Sequence, residues 1–188
     1  PKTPKPRVFG INYFIFKMQS QQDDNMEMQT RIVFQQLFSD PDNTHCFDCN
    51  ALSPQWASVN NSILLCLNCA GVHRGMGVQT SFVRSINLDS WTETQLSLMT
   101  LGGNRKLREF LNNYQLNEEY PAARYQTRAA DFYRRQLGAK CNGNTFNDVP
   151  PTYDTGREKA LVAQSRTYEE IMQGNPSFGS NGNNQQSG

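Results

Sequence analysis

Residues 46–69 read Cys46-Phe47-Asp48-Cys49-Asn50-Ala51-Leu52-Ser53-Pro54-Gln55-Trp56-Ala57-Ser58-Val59-Asn60-Asn61-Ser62-Ile63-Leu64-Leu65-Cys66-Leu67-Asn68-Cys69. The stretch holds two cysteine pairs in the spacing C-x2-C-x16-C-x2-C. Each tight turn brings two thiolates together, and two turns give four soft ligands for one tetrahedral ion at about 2.3 Å. Two disulfides are the competing reading. They would leave Cys141 unpaired, no secretory signal is seen, and a two-residue gap suits a metal better than a local bridge. Four protein ligands leave no open position for water or substrate. The expectation is one structural Zn2+ on Cys46, Cys49, Cys66 and Cys69. His45 and His73 flank these ligands, and with four thiols available neither is needed on the metal.

Between the pairs, Trp56–Val59 and Ile63–Leu65 are apolar or β-prone and separated by Asn60-Asn61-Ser62, which predicts a small hairpin. Cys69–Gly75 predicts a short helix, and Phe82–Leu88 a strand with Phe82, Ile86 and Leu88 on one face. Upstream, Ile32, Val33, Leu37 and Phe38 fit an amphipathic helix from Met28, ended by Asp40-Pro41-Asp42-Asn43. Downstream, Ser90-x-x-Glu93 offers a capping box before a helix with Leu96 and Met99 inward, and Gly102-Gly103 stops it. Asn104 is a candidate cap for the next helix, with Leu107, Phe110, Leu111 and Tyr114 inward. A last helix over Thr127–Leu137 places Ala129, Ala130, Tyr133 and Leu137 inside and Arg134 or Arg135 outside, with Gly138 beyond its end. The fold class is α+β: a small zinc-finger β-sheet core surrounded by α-helices.

This layout gives a domain over residues 26–138. Residues 1–25 read as a flexible N-terminal segment, 139–173 as a loop followed by a charged helix, and 174–188 as a disordered tail. The 188 residues are 37% hydrophobic and 19% charged, enough for one domain with its own core. A net charge of +1, mixed in sign along the chain, argues against a nucleic-acid partner and shows no polybasic membrane patch. The stretch Asn50–Leu65 carries no Lys or Arg, unlike four-cysteine fingers that grip DNA. No apolar run reaches the roughly 20 residues that span a bilayer, so the chain reads as a soluble protein. It starts at Pro1, which leaves open a piece of a longer chain.

Arg74 follows Cys69 by one helical turn. By composition it is a surface or ion-pairing arginine. The pattern Cys46-x2-Cys49-x16-Cys66-x2-Cys69-x4-Arg74, however, resembles the zinc finger of the Arf GTPase-activating proteins. So do Pro54-Gln55-Trp56-Ala57-Ser58, Leu67 to Val78, Ser81-Phe82-Val83-Arg84-Ser85, Asp89, Trp91 and Gly102-Gly103-Asn104. The likeness spans about residues 28 to 138. Two positions depart from it: Gln79, where many members have histidine, and Asn50, where glycine is frequent and where Asn can still take a left-handed backbone.

The resemblance implies a GTPase-activating protein that supplies Arg74 in trans as a catalytic arginine finger to GTP on an Arf-type small GTPase. The chain itself is then not a nucleotide hydrolase. Trp56 is read either as core or as an aromatic neighbour of Arg74 that touches the partner, and Arg84 either as paired with an acid or as partner-binding. The resemblance further implies vesicle-mediated transport, a cytoplasmic protein peripheral to Golgi or endosomal membranes, vesicle coat proteins as further partners, and membrane attachment through regions outside this chain. A non-catalytic adaptor for a GTPase or coat protein is the alternative, and a nucleic-acid-binding finger the second.

Overall fold

A computed structural model describes the backbone of residues 8–160 and side chains from residue 23 onward. The expected hairpin is present. Strands β1 (Trp56–Ser58) and β2 (Ile63–Leu65) pair antiparallel, and β3 (Val83–Ser85) adds to the other edge of β1, giving the order β2-β1-β3. Register decides the faces, because directly opposed residues share a side. Ala57 opposes Leu64 and Arg84, whereas Trp56 opposes Leu65 and Ser85.

Around this sheet lie α1 (Val8–Leu37), α2 (Leu67–Gly75), α3 (Glu93–Leu101), α4 (Asn104–Asn112), α5 (Pro121–Arg124), α6 (Arg128–Cys141) and α7 (Tyr153–Arg157). The α+β expectation of a small sheet among helices holds. Ala57, Val59, Ile63, Leu64, Leu65 and Met99 are fully buried at its centre. Trp91 links the layers: its Nε1–H donates to the Ser85 carbonyl at 3.0 Å, and its ring meets Phe34 of α1 edge-on at 4.9 Å.

Several boundaries differ from those read in the sequence. The helix expected from Met28 starts at Val8, so residues 8–25, expected to be flexible, belong to α1. Its inner face is Thr30, Phe34 and Leu37, with Ile32 turned outward. The strand expected to run to Leu88 stops at Ser85, because the Ser85 N–H donates to the Asp89 carboxylate at 2.7 Å and turns the chain, which leaves Leu88 exposed. The capping box is Thr92–Gln95, two residues beyond Ser90.

Asn104 does not cap α4; Gly103 occupies that place at φ +107°. The buried Asn104 amide instead accepts from the Leu64 N–H and donates to the Asp42 and His45 carbonyls, joining β2 to the entry of the first cysteine turn. Helix α6 continues through Gly138 to Cys141. Packing also continues past residue 138: Gly156 of α7 lies against the Tyr114 ring, and Thr127 bridges to Lys159. The helix expected over 156–173 has only its first residues described, of which Glu158 is extended; the remainder and the tail fall outside the described residues. Among the described residues no helix is long and apolar enough to cross a membrane.

Candidate metal cluster and arginine site

The first cysteine turn is built by backbone. Cys46 N–H donates to the Ala51 carbonyl at 2.7 Å, Asn50 N–H donates back to the Cys46 carbonyl at 3.0 Å, and Asn50 takes φ +61°, the left-handed conformation read for it. The second turn coincides with the start of α2. Cys66 is its N-cap, extended at ψ 168°, and its sulfur accepts from the Cys69 N–H at 3.5 Å. One sulfur thus serves a helix end and a candidate ligand position together.

The Sγ atoms of Cys46, Cys49, Cys66 and Cys69 all lie within 4.8 Å of one another, and Cys49 and Cys66 Sγ are 3.5 Å apart. A tetrahedral ion with bonds of about 2.3 Å needs sulfurs about 3.8 Å apart, so the four residues fit a metal of that kind. Burial, opposed only in part by hydrogen bonds from the Cys66, Cys49 and Asp48 backbone, pushes the Cys46 thiol up to about 11. Burial and the Cys46 charge also raise Cys69, while at Cys66 backbone and thiol hydrogen bonds outweigh burial and lower it. Four sulfurs this close together cannot all ionise without a cation among them. Neither histidine joins the cluster: His45 Nδ1 is bonded to Thr44 Oγ1 at 2.9 Å, and His73 is engaged elsewhere. Cys141 lies apart, its Sγ against the Thr94 carbonyl.

Arg74 stands in the last turn of α2, exposed, with its Cζ 4.3 Å from the centroid of the half-buried Trp56 ring. Among the described residues no carboxylate is within ion-pair distance of it. Its guanidinium is therefore held by an aromatic face with its donors uncommitted. Leu67, Val72 and Val78 are exposed on and beside the same helix. Arg84 is elsewhere. By register it is on the sheet face opposite Trp56, over Phe82 at 5.4 Å, with its Nε buried and without a hydrogen-bond partner. The structure joins Trp56 to Arg74 and does not join Arg84 to either.

Beneath Arg74 runs a buried polar chain that sequence reasoning missed. His73 is fully buried, with Nε2 2.8 Å from Asp48 Oδ2 and Nδ1 2.7 Å from Ser81 Oγ. Ser81 Oγ is 2.7 Å from Ser58 Oγ, which accepts from Asn61 Nδ2 at 2.8 Å. Asp48 Oδ1 accepts from Arg124 Nη1 at 2.7 Å and from the Tyr125 hydroxyl at 2.8 Å. Burial by itself would raise the Asp48 carboxyl, but hydrogen bonds from His73 and Tyr125 and the nearby Arg124 charge leave it below the usual carboxylate range. An ionised Asp48 only accepts, so His73 Nε2 carries a proton and donates to it. The signal available in sequence was slight: a carboxylate inside a C-x2-C turn and a histidine directly before Arg74.

The chain was compared with known proteins. The sequence model of the ArfGap family, described as "Putative GTPase activating protein for Arf", matches residues 31–142, well over half of the chain. ADP-ribosylation factor GTPase-activating protein 3 of Bos taurus is 42% identical over 108 residues, which cover 57% of this chain and 21% of that protein. ADP-ribosylation factor GTPase-activating protein GCS1 of Saccharomyces cerevisiae is 35% identical over 127 residues, 67% of this chain and 36% of that protein. A crystal structure from Cryptosporidium parvum, described as a "putative GTPase activating protein for ADP ribosylation factor", superposes with a TM-score of 0.55 at 32% identity, covering 61% of this chain and 93% of that one. The chain thus spans between a fifth and two fifths of the curated relatives' length.

Proposed function

The chain belongs to the Arf GTPase-activating protein family, and from that premise we propose that it accelerates GTP hydrolysis on an Arf-type small GTPase, with Arg74 inserted in trans as the arginine finger. The observation that carries this reading is the state of Arg74: exposed, without an acidic partner among the described residues, and resting on Trp56 at 4.3 Å. A finger must reach a nucleotide on another protein while keeping its donors unspent, and pre-placement lowers the cost of reorganisation as charge develops on the phosphate oxygens. The attacking water is held by the GTPase. Leu67, Val72 and Val78 supply apolar contact surface beside the finger, and Trp56 borders it. A GTPase contact through Arg84 would come from the other sheet face, along the edge strand β3.

Cys46, Cys49, Cys66 and Cys69 would hold one zinc ion in a structural role, since four protein ligands complete its coordination. Its contribution is to fix the corner from which α2 projects. Work in vesicle transport at Golgi or endosomal membranes, with coat proteins as further partners, is part of the same proposal and is supported by family resemblance alone.

The test is single-turnover GTP hydrolysis on a panel of Arf-type GTPases. Arg74→Lys should retain zinc and fold yet lose on the order of a thousandfold or more in activation, because an ammonium lacks the planar fork of donors. Turnover near wild type would remove the finger. Unaltered GTPase binding with no activation by the wild type would instead favour the adaptor.

A further inference from the structure

Arg74 has a backbone neighbour built more firmly than a short surface helix requires. Helix α2 has nine residues, below the length at which helices hold in isolation. Its first turn is tied to the cysteine cluster. Its last turn, which carries Arg74, is tied by His73, fully buried and bonded through both ring nitrogens.

The two bonds run to different parts of the site. Through Nε2 the ring grips Asp48, which lies between Cys46 and Cys49 and is fixed from the far side by Arg124 and Tyr125 of the α5 region. Tyr125 also packs edge-on against the imidazole at 4.5 Å. Through Nδ1 the ring reaches Ser81 and then Ser58. Ser58 is two residues along β1 from Trp56 and therefore on the same sheet face. With a neutral imidazole the links run from Asn61 Nδ2–H to Ser58, the Ser58 hydroxyl to Ser81, the Ser81 hydroxyl to His73 Nδ1, and His73 Nε2–H to Asp48. Every one of these links is 2.8 Å or shorter, and Asn61 Nδ2 is itself anchored by a second bond to the Thr80 carbonyl at 2.9 Å. The helix that carries the guanidinium and the strand that carries its aromatic rest are thus locked together one residue from Arg74.

We propose that His73, clamped between Asp48 and Ser81, is a positioning residue that sets the aim of Arg74 over Trp56. The inference rests on Arg74 acting as the finger. His73 touches neither nucleotide nor water; it acts through the arginine. Loosening it lets the last turn of α2 shift while the cysteine cluster and the outer contact surface remain, so GTPase binding is kept and turnover falls.

Single-turnover hydrolysis with the zinc-loaded full chain and a GTP-bound Arf-type GTPase tests this on His73→Gln, Ser81→Ala, Arg74→Ala and each of the first two combined with Arg74→Ala. Gln keeps a donor toward Asp48 and gives up the link to Ser81, whereas Ser81→Ala deletes only the hydroxyl. Expected for both is a kcat about tenfold to a hundredfold lower, with KM for the GTPase changed by less than about twofold. In the Arg74→Ala background neither should cost anything further, because residues acting through one group are not additive. A kcat equal to wild type in Ser81→Ala, or the same loss repeated without Arg74, overturns the proposal. So does loss of zinc or of helical circular dichroism in Ser81→Ala, which would make the chain a support of the fold and not of the arginine. If Arg74→Ala alone activates like wild type, the finger reading itself has failed, an outcome that the single variant identifies before the others are compared.

Discussion

Trp56 shows how one side chain can serve packing and placement together. Its strand position and size suggest core, and one edge of the ring does lie against the core. The face that remains open carries the Arg74 guanidinium. A cation over an indole gains about 0.5–2 kcal/mol depending on desolvation, and the gain matters here as orientation. Trp56→Ala should lower kcat by between about twofold and thirtyfold, Trp56→Phe by less, with zinc content unchanged in both. Equal turnover by all three would show that the ring is only a neighbour. The residue-level reading was open between core and partner because sequence reveals the alternation of a strand, not which element covers each face. Register supplied that: Trp56 and Ser58 face α2, while Ala57 and Arg84 face away.

Elements bounded by local chemistry were the most legible. The hairpin and the two glycine stops near residue 102 follow from turn and cap preferences. The capping box was misplaced because Ser90-x-x-Glu93 and Thr92-x-x-Gln95 satisfy the same pattern. Trp91 chose between them: buried and bonded to the Ser85 carbonyl, it keeps residues before Thr92 out of the helix. Glycines separate local from tertiary causes in the same way. A Cβ on Gly102 would collide with the buried Ser62 side chain, whose hydroxyl donates to the Leu98 carbonyl. A Cβ on Gly138, inside α6, would meet nothing within 4 Å. Gly102→Ala should therefore destabilise by about 1–3 kcal/mol through overpacking. Gly138→Ala should stabilise by about 0.5–1 kcal/mol through helix propensity. Denaturant unfolding of the metal-loaded protein reads both, and effects of the same sign would contradict the packing account.

At the scale of the molecule, what the sequence did not disclose is long-range and polar. The four cysteines announce themselves by spacing, but the bond from Arg124 to Asp48 crosses 76 residues and that from His73 to Asp48 crosses 25, and no local pattern marks such pairs. Both converge on the first cysteine turn, so the cluster and the polar chain brace one corner from two sides. The apolar core beneath is modest, and a structural zinc is worth about 10–16 kcal/mol in small domains, as much as the whole stability of many. With zinc held by the four cysteines as proposed, a chelator at neutral pH should therefore abolish more than the proposed action of Arg74. The buried Cys46 and half-buried Cys69 thiols would take up protons, α2 would lose its N-cap geometry, and Asp48 would lose the rigid turn that presents it to His73 and Arg124. Loss of helical circular dichroism with loss of GTPase activation, both restored by zinc, is the expected result. Because the thiols must deprotonate to bind, the chelator concentration needed should fall as pH is lowered. A metal-free chain whose α2 amides stay protected from hydrogen exchange would show that the polar chain alone holds the corner, and that the cysteine cluster is not what mounts Arg74.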